Sequence, residues 1–170
     1  EVSGASGDGM VLAISFGDEG GVCVRHRLVQ TQGYLRDKNE KRMVSGGIYG
    51  TQATSPKLFD VKQFAKKNTA NAGVLWWEEK LLALWPFGKP FMVDPGSLGT
   101  IIGNQEIGAS DLGSALDTQN ADVPFGPTPK FCATTGNLVN FGQNPSAGGT
   151  DVRFFEFPAG NWTPKYRLPV

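Results

Sequence analysis

The chain has 170 residues, with 16 Lys and Arg set against 16 Asp and Glu, so its net charge at neutral pH is zero. That length fits one domain, residues 1–170, with a core of its own; the charge balance supplies no global field for nucleic acid or an anionic membrane surface. With 23 Gly and 11 Pro, one residue in five interrupts regular structure, which argues against long helices and for short strands separated by turns.

GASGDG at 4–9 is glycine-rich but lacks the Gly-Lys-Ser/Thr of a phosphate loop and precedes a strand pattern, so it reads as a turn feeding a strand through Asp8-Gly9. MVLAISF and VCVRHRLVQT, joined by GDEGG, read as a hairpin. In its second strand Val22, Val24, His26 and Leu28 share one face, and Cys23, Arg25, Arg27 and Val29 the other. Neither face is purely apolar, so partial burial is expected. Residues 33–47 are polar and charged and read as a surface excursion. SPKLFDVKQFAKKN at 55–68 suits a short helix, with Ser55 as cap and Pro56 at the first position. Its Lys57, Lys62, Lys66 and Lys67 lie beside Phe59 and Phe64; at zero net charge they read as a solvated face rather than a single-strand-binding surface.

Strand pairs then recur. GVLWWEEKLLALW turns at Glu78-Glu79-Lys80, and KPFMVDPGSLGTIIG turns at Asp94-Pro95-Gly96, where Pro presets φ and Gly accepts a positive one. Residues 104–126 read as a loop. KFCATTGNLVNFG turns at Thr135-Gly136-Asn137, and DVRFFEFPAGNWTPKYRLPV gives a strand, a turn and the start of another strand. Short antiparallel strands with regular turn signals predict an all-β architecture: sandwich, barrel or propeller.

No catalytic constellation emerges from the residues. His26 is the sole histidine, so a transition-metal site built here would lack imidazole partners. Cys23 and Cys132 form no CxxC motif; two buried thiols are expected rather than a disulfide. Glu78 and Glu79 fall in a turn, and Asp111, Asp117 and Asp122 in a polar loop, where solvated charge is the expectation. Asn161-Trp162-Thr163 matches a glycosylation pattern by chance. No apolar run reaches the roughly 20 residues that span a bilayer. The chain does not begin with Met, so a processed, truncated or partial polypeptide is expected. Trp76, Trp77, Trp85, Phe87 and Phe91 crowd one region and suit a core, an interface or contact with a long apolar ligand.

GDGM at 7–10, HRLVQTQGY at 26–34, KNTAN at 67–71, LLALW at 81–85, GKPF at 88–91, VDPGSLGT at 93–100 and TPKFCATTGNLVNFG at 128–142 together resemble the carotenoid cleavage oxygenase family, over nearly the whole chain but only about the N-terminal third of a family member. The resemblance implies antiparallel blades of a partial β-propeller, cut from a seven-bladed ring that holds non-haem Fe(II) on its axis through four histidines. Glutamates brace several of those histidines, and the reaction is O2-dependent cleavage of a polyene double bond in an apolar tunnel. The family's first iron histidine lies in a segment like TAHPK; here it reads GPTPK, so Thr128 stands in the histidine's place. The family reads LWEGG where this chain reads LWPFG, so Pro86 stands where a glutamate supports an iron ligand.

No residue of the chain matches a family metal ligand. Losing a supporting partner alone costs about 10–100-fold in metal affinity or activity, and a threonine hydroxyl is a poor donor to Fe(II) beside imidazole. The expectation is a non-catalytic accessory or structural subunit of a larger assembly, without a cofactor. Carotenoid is a candidate ligand, the five aromatics are the contact residues, and the chloroplast is the compartment, the last on resemblance alone. The alternative is a fragment of an active Fe(II)-dependent dioxygenase whose remaining ligands lie outside this chain.

Overall fold

A computed structural model describes residues 7–45, 67–101, 124–146, 149–160 and 166–169. Nine strands form three antiparallel sheets. The first pairs β1 (Met10–Phe16) with β2 (Val22–Leu28). The second has the order β3 (Gly73–Trp77), β4 (Lys80–Leu84), β5 (Phe91–Val93). The third runs β6 (Lys130–Phe131), β7 (Leu138–Ser146), β8 (Gly149–Phe157), β9 (Tyr166–Pro169). All the expected hairpins form in sequence order, and the described residues close no ring.

The three sheets stack in chain order, and β4 shows why. Leu82 and Leu84 point to one side with Leu75 and Trp77 of β3, meeting Phe125, Leu138, Phe155 and Phe157. Ala83 points to the other side with Val93, meeting Val11 of β1, Val29, Ala70 and Leu98. Successive side chains of a strand face opposite sides of its sheet, so a strand apolar at every position must be covered on both faces. KLLAL is such a strand: Leu82, Ala83 and Leu84 are fully buried. The second sheet is therefore sandwiched between the first and the third, as blades stack around a propeller axis.

Several expectations need correction. The polar segment 33–47 is not simply an excursion: Gln32–Glu40 form helix α1. The Thr31 hydroxyl caps it by accepting the Tyr34 amide at 3.1 Å, and Lys41 ends it in the left-handed region. α1 buries no residue, so no apolar stripe announced it. Cys23 is exposed rather than buried; Cys132 is half-buried, and both thiols are free. At the Asp94 turn the positive φ falls on Leu98, at 58°, and not on Gly96. The Asp94 carboxylate takes over the turn by accepting the Ser97 amide and hydroxyl, each at 2.6 Å. Lys67 is not on a solvated face: its ammonium bridges Asp8 and Asp37, each at 2.8 Å. The expected helix at 55–68 lies outside the described residues up to residue 66, with Lys57, Phe59, Lys62, Phe64 and Lys66. The loop at 104–123, its three aspartates and Asn161-Trp162-Thr163 lie outside them as well.

Candidate functional site

Thr128 is exposed, in an irregular segment between the second sheet and β6. The segment before it is fixed tightly. Phe125 is fully buried and packs against Phe155 and Phe157. The Gly126 amide donates to the Phe141 carbonyl at 2.9 Å, and the buried Asn140 side chain donates to the Gly126 carbonyl at 2.9 Å. Glycine makes this approach possible at two points. A Cβ at Gly142 would overlap the Pro124 carbonyl, and one at Gly73 would come within 2.8 Å of the Pro127 carbonyl oxygen. Pro127 and Pro129 then fix φ on either side of Thr128. The backbone thus delivers residue 128 to a defined place, whatever its side chain.

The loop holding Pro86 adjoins this segment. Pro86 follows the buried Trp85, and the Gly88 carbonyl accepts the Phe125 amide at 3.0 Å. A short strap of main chain therefore joins the Pro86 turn to the run that carries Thr128. Neither side chain suits a metal centre. Proline offers no side-chain acceptor, and the threonine offers a neutral hydroxyl. His26 sits on β2 of the first sheet, whereas Thr128 leads into the third. Among the described residues, no group of three or more His, Cys, Asp or Glu is placed to hold a metal ion. The residues present do not fit a four-histidine iron site.

The five aromatics separate. Trp77 is buried and meets Phe157 edge-on at 5.9 Å; Trp85 is buried and meets Phe87 edge-on at 5.6 Å. Phe91 packs against the core between the first and second sheets. Trp76 points to solvent from β3, 54% exposed, beside Val74 at 59%.

The stretch KNTAN acts as a clasp whose every polar contact is local. Lys67 holds Asp8 and Asp37. The Asn68 amide group donates to the Lys89 carbonyl at 2.8 Å, and its oxygen accepts the Ala70 amide at 3.0 Å. The Thr69 carbonyl accepts the Gly9 amide at 2.8 Å, and the Asn71 side chain donates to the Gly7 carbonyl at 2.8 Å. Burial pushes the Asp37 carboxyl up, but the Lys67 ammonium and the amides of Val44 and Ser45 outweigh it and hold it below its ordinary 3.8. Burial likewise pulls Lys67 down, but the two carboxylates outweigh it and hold the ammonium above 10.5. At the hairpin tip before β7, the Thr135 hydroxyl and the Thr135 and Thr134 amides hold the Cys132 thiol below its usual range.

Stacked antiparallel sheets, a clasp at residues 67–71 and a rigid Pro-Thr-Pro run define a segment of a propeller-type protein. The chain belongs to the RPE65 (retinal pigment epithelial membrane protein) family, whose model matches residues 5–170. It is 36% identical over 110 residues to the apocarotenoid-15,15'-oxygenase of Synechocystis, 65% of this chain and 21% of that protein. It is 30% identical over 153 residues to carotenoid cleavage oxygenase 1 of Neurospora crassa, 89% of this chain and 26% of that protein. The structure of cobalt-substituted Synechocystis ACO aligns with a TM-score of 0.75 and 27% identity, over 97% of this chain and 33% of that one. The chain thus spans about a fifth to a third of the length of these relatives.

Proposed function

We propose that this chain is a propeller segment of a carotenoid-oxygenase-like protein that contributes structure and binding rather than iron chemistry, as an accessory or structural subunit of a larger assembly. Thr128 carries the reading. The surrounding backbone holds position 128 firmly, yet the side chain delivered there is a hydroxyl, and the adjoining turn offers Pro86 in place of a carboxylate. The assembly is supported by the apolar outer face of the first sheet, where Met10, Leu12, Ile14, Phe16, Val22, Val24 and Leu28 are exposed. Carotenoid is the candidate ligand because the named relatives are carotenoid and apocarotenoid oxygenases. Trp76 is the contact aromatic presented to solvent, with Phe87 and Phe91 half-buried behind it. A plastid location draws support from a rice relative, carotenoid cleavage dioxygenase 7, chloroplastic, 38% identical over 66 residues.

The span of a fifth to a third of each relative favours a second reading: part of an active iron-dependent oxygenase that draws its ligands from elsewhere. One graft separates the two. Residues 5–170 replace the matching part of the Synechocystis oxygenase, and iron content and apocarotenoid cleavage are measured. The first reading expects substoichiometric iron and no turnover, with Thr128→His plus Pro86→Glu restoring both. Stoichiometric iron and turnover in the unmodified graft would end it in favour of the second.

A further inference from the structure

The first sheet is narrower than the sheet it covers. It has two strands against three, and among the described residues no strand pairs with the outer edge of β1. Its position on the second sheet is fixed from both strands. The Arg25 guanidinium donates to the Gly96 carbonyl, and the Gln30 amide donates to the Thr100 hydroxyl at 2.8 Å. Thr100 bridges Val93 of β5, so β2 lies toward the β5 side. Val11 and Ala13 of β1 pack with Ala83 of β4, so β1 lies inward of β2 and its outer edge faces the β3 side. On that side Val74 and Trp76 alternate with the buried Leu75 and Trp77. They occupy the face of the second sheet that the first sheet covers elsewhere, yet both are more than half exposed. The edge also has a defined start. At Gly9 it is already taken by the Thr69 carbonyl; from Met10 to Phe16 it is open.

We propose that the first sheet is completed by one further strand, hydrogen-bonded along β1 from Met10 to Phe16 and laid over Val74 and Trp76. Edge addition of this kind draws its affinity from main-chain hydrogen bonds and its selectivity from alternate side chains. Here those alternate side chains must be apolar on the side facing Val74 and Trp76. They must be apolar on the opposite side too, where the new strand extends the face of Met10, Leu12, Ile14 and Phe16. An edge strand with no charged residue from Met10 to Phe16 lacks the usual protection against pairing. The occupant is a strand from the part of the propeller that solved relatives possess and this chain does not match, since 33% coverage leaves two thirds of those chains unaccounted for. The inference rests on the propeller-segment half of the functional reading and is independent of its iron half.

The test is hydrogen exchange at the β1 amides in two proteins: the 170-residue chain and the graft of residues 5–170 into the Synechocystis oxygenase. The β1 amides that do not bond β2 should exchange at least about 100-fold more slowly in the graft, since the added strand closes them. Trp76→Lys should leave the melting temperature of the 170-residue chain unchanged and lower that of the graft. Equal exchange in both proteins, or no effect of Trp76→Lys in the graft, overturns the proposal. Protection already present in the 170-residue chain overturns it too, assigning the edge to this chain itself or, where protection rises with concentration, to a second copy. A graft that stays insoluble while the parent oxygenase is soluble also counts against it, because the offered strand then fails to complete the sheet. Iron content of the same graft reports separately on Thr128, so the two readings fail independently.

Discussion

Lys67 shows how one side chain can hold three distant stretches together. Its ammonium is almost wholly buried between Asp8, ahead of β1, and Asp37 on α1. Removing one member of a buried pair leaves an uncompensated charge, at a cost of about 3–5 kcal/mol. Lys67→Met should therefore lower stability by about 3 kcal/mol, read from the urea midpoint at unchanged slope. The pH dependence follows from the two displacements. Asp37 is depressed when folded, so its contribution is complete above its unfolded value of 3.8 and lost as pH falls through the lower folded value. Lys67 is raised when folded, so its contribution is complete below 10.5 and lost as pH rises through the higher folded value. Stability in the wild type should sag at both extremes, and Lys67→Met should flatten both arms. A variant with unaltered arms would refute the assignment. A smaller effect is expected at the β3–β4 turn. Glu78 and Glu79 both sit at positive φ, 47° and 60°, in a two-residue hairpin loop that favours Asn-Gly. Glu79→Gly should stabilise by about 1 kcal/mol, the left-handed penalty of a residue with a Cβ. Glu78 is the poorer choice, because its carboxylate accepts the Gly160 amide at 2.9 Å.

At the scale of elements, the hairpins were legible because each strand alternates and each turn carries its own chemistry. Gly136, at φ 70°, ends β6 where TTGN predicts it. KLLAL could be read as a strand but not as one buried on both faces, since burial depends on partners far along the chain. α1 was not legible: it is polar all round, has Gly33 in its first turn, and is anchored by Thr31 and by the Asp37–Lys67 pair. The candidate site divides the same way. The Pro-Thr-Pro run and Pro86 were visible as residue types, whereas the main-chain strap from Gly88 to Phe125 and the Asn140–Gly126 bond are tertiary. Phe157 tests the stacking. It is fully buried where Trp77, Phe125 and Phe155 converge between the second and third sheets. Phe157→Ala should cost about 3–5 kcal/mol and expose Trp77, seen as a red-shifted emission. Phe154→Ala, one rung away on the exposed side and opposite Phe141, should cost about 1 kcal/mol, the value of an aromatic cross-strand pair.

For the molecule as a whole, the physical question is how a stack of sheets ends. Both inner interfaces are apolar and filled, but the outward face of the first sheet repeats the same apolar character without a cover. Register places Met10 opposite Leu28, Leu12 opposite His26, Ile14 opposite Val24 and Phe16 opposite Val22, so seven of eight side chains on that face are apolar and all are exposed. An isolated two-stranded ribbon is marginal in water, and a contiguous patch of this kind marks a surface that seeks a partner. The 170-residue chain alone should therefore self-associate with rising concentration and bind a hydrophobic dye. Leu12→Lys with Ile14→Lys should suppress both without lowering the melting temperature, because neither side chain belongs to a buried cluster. Leu82→Lys, at the same change of chemistry but between two sheets, should abolish folding. Sedimentation velocity and a thermal melt on the three proteins separate the cases. If the double variant melts as early as a core variant, the face is internal to the fold. If the wild type stays monomeric and dye-free at high concentration, the patch is already covered and the stack does not end there.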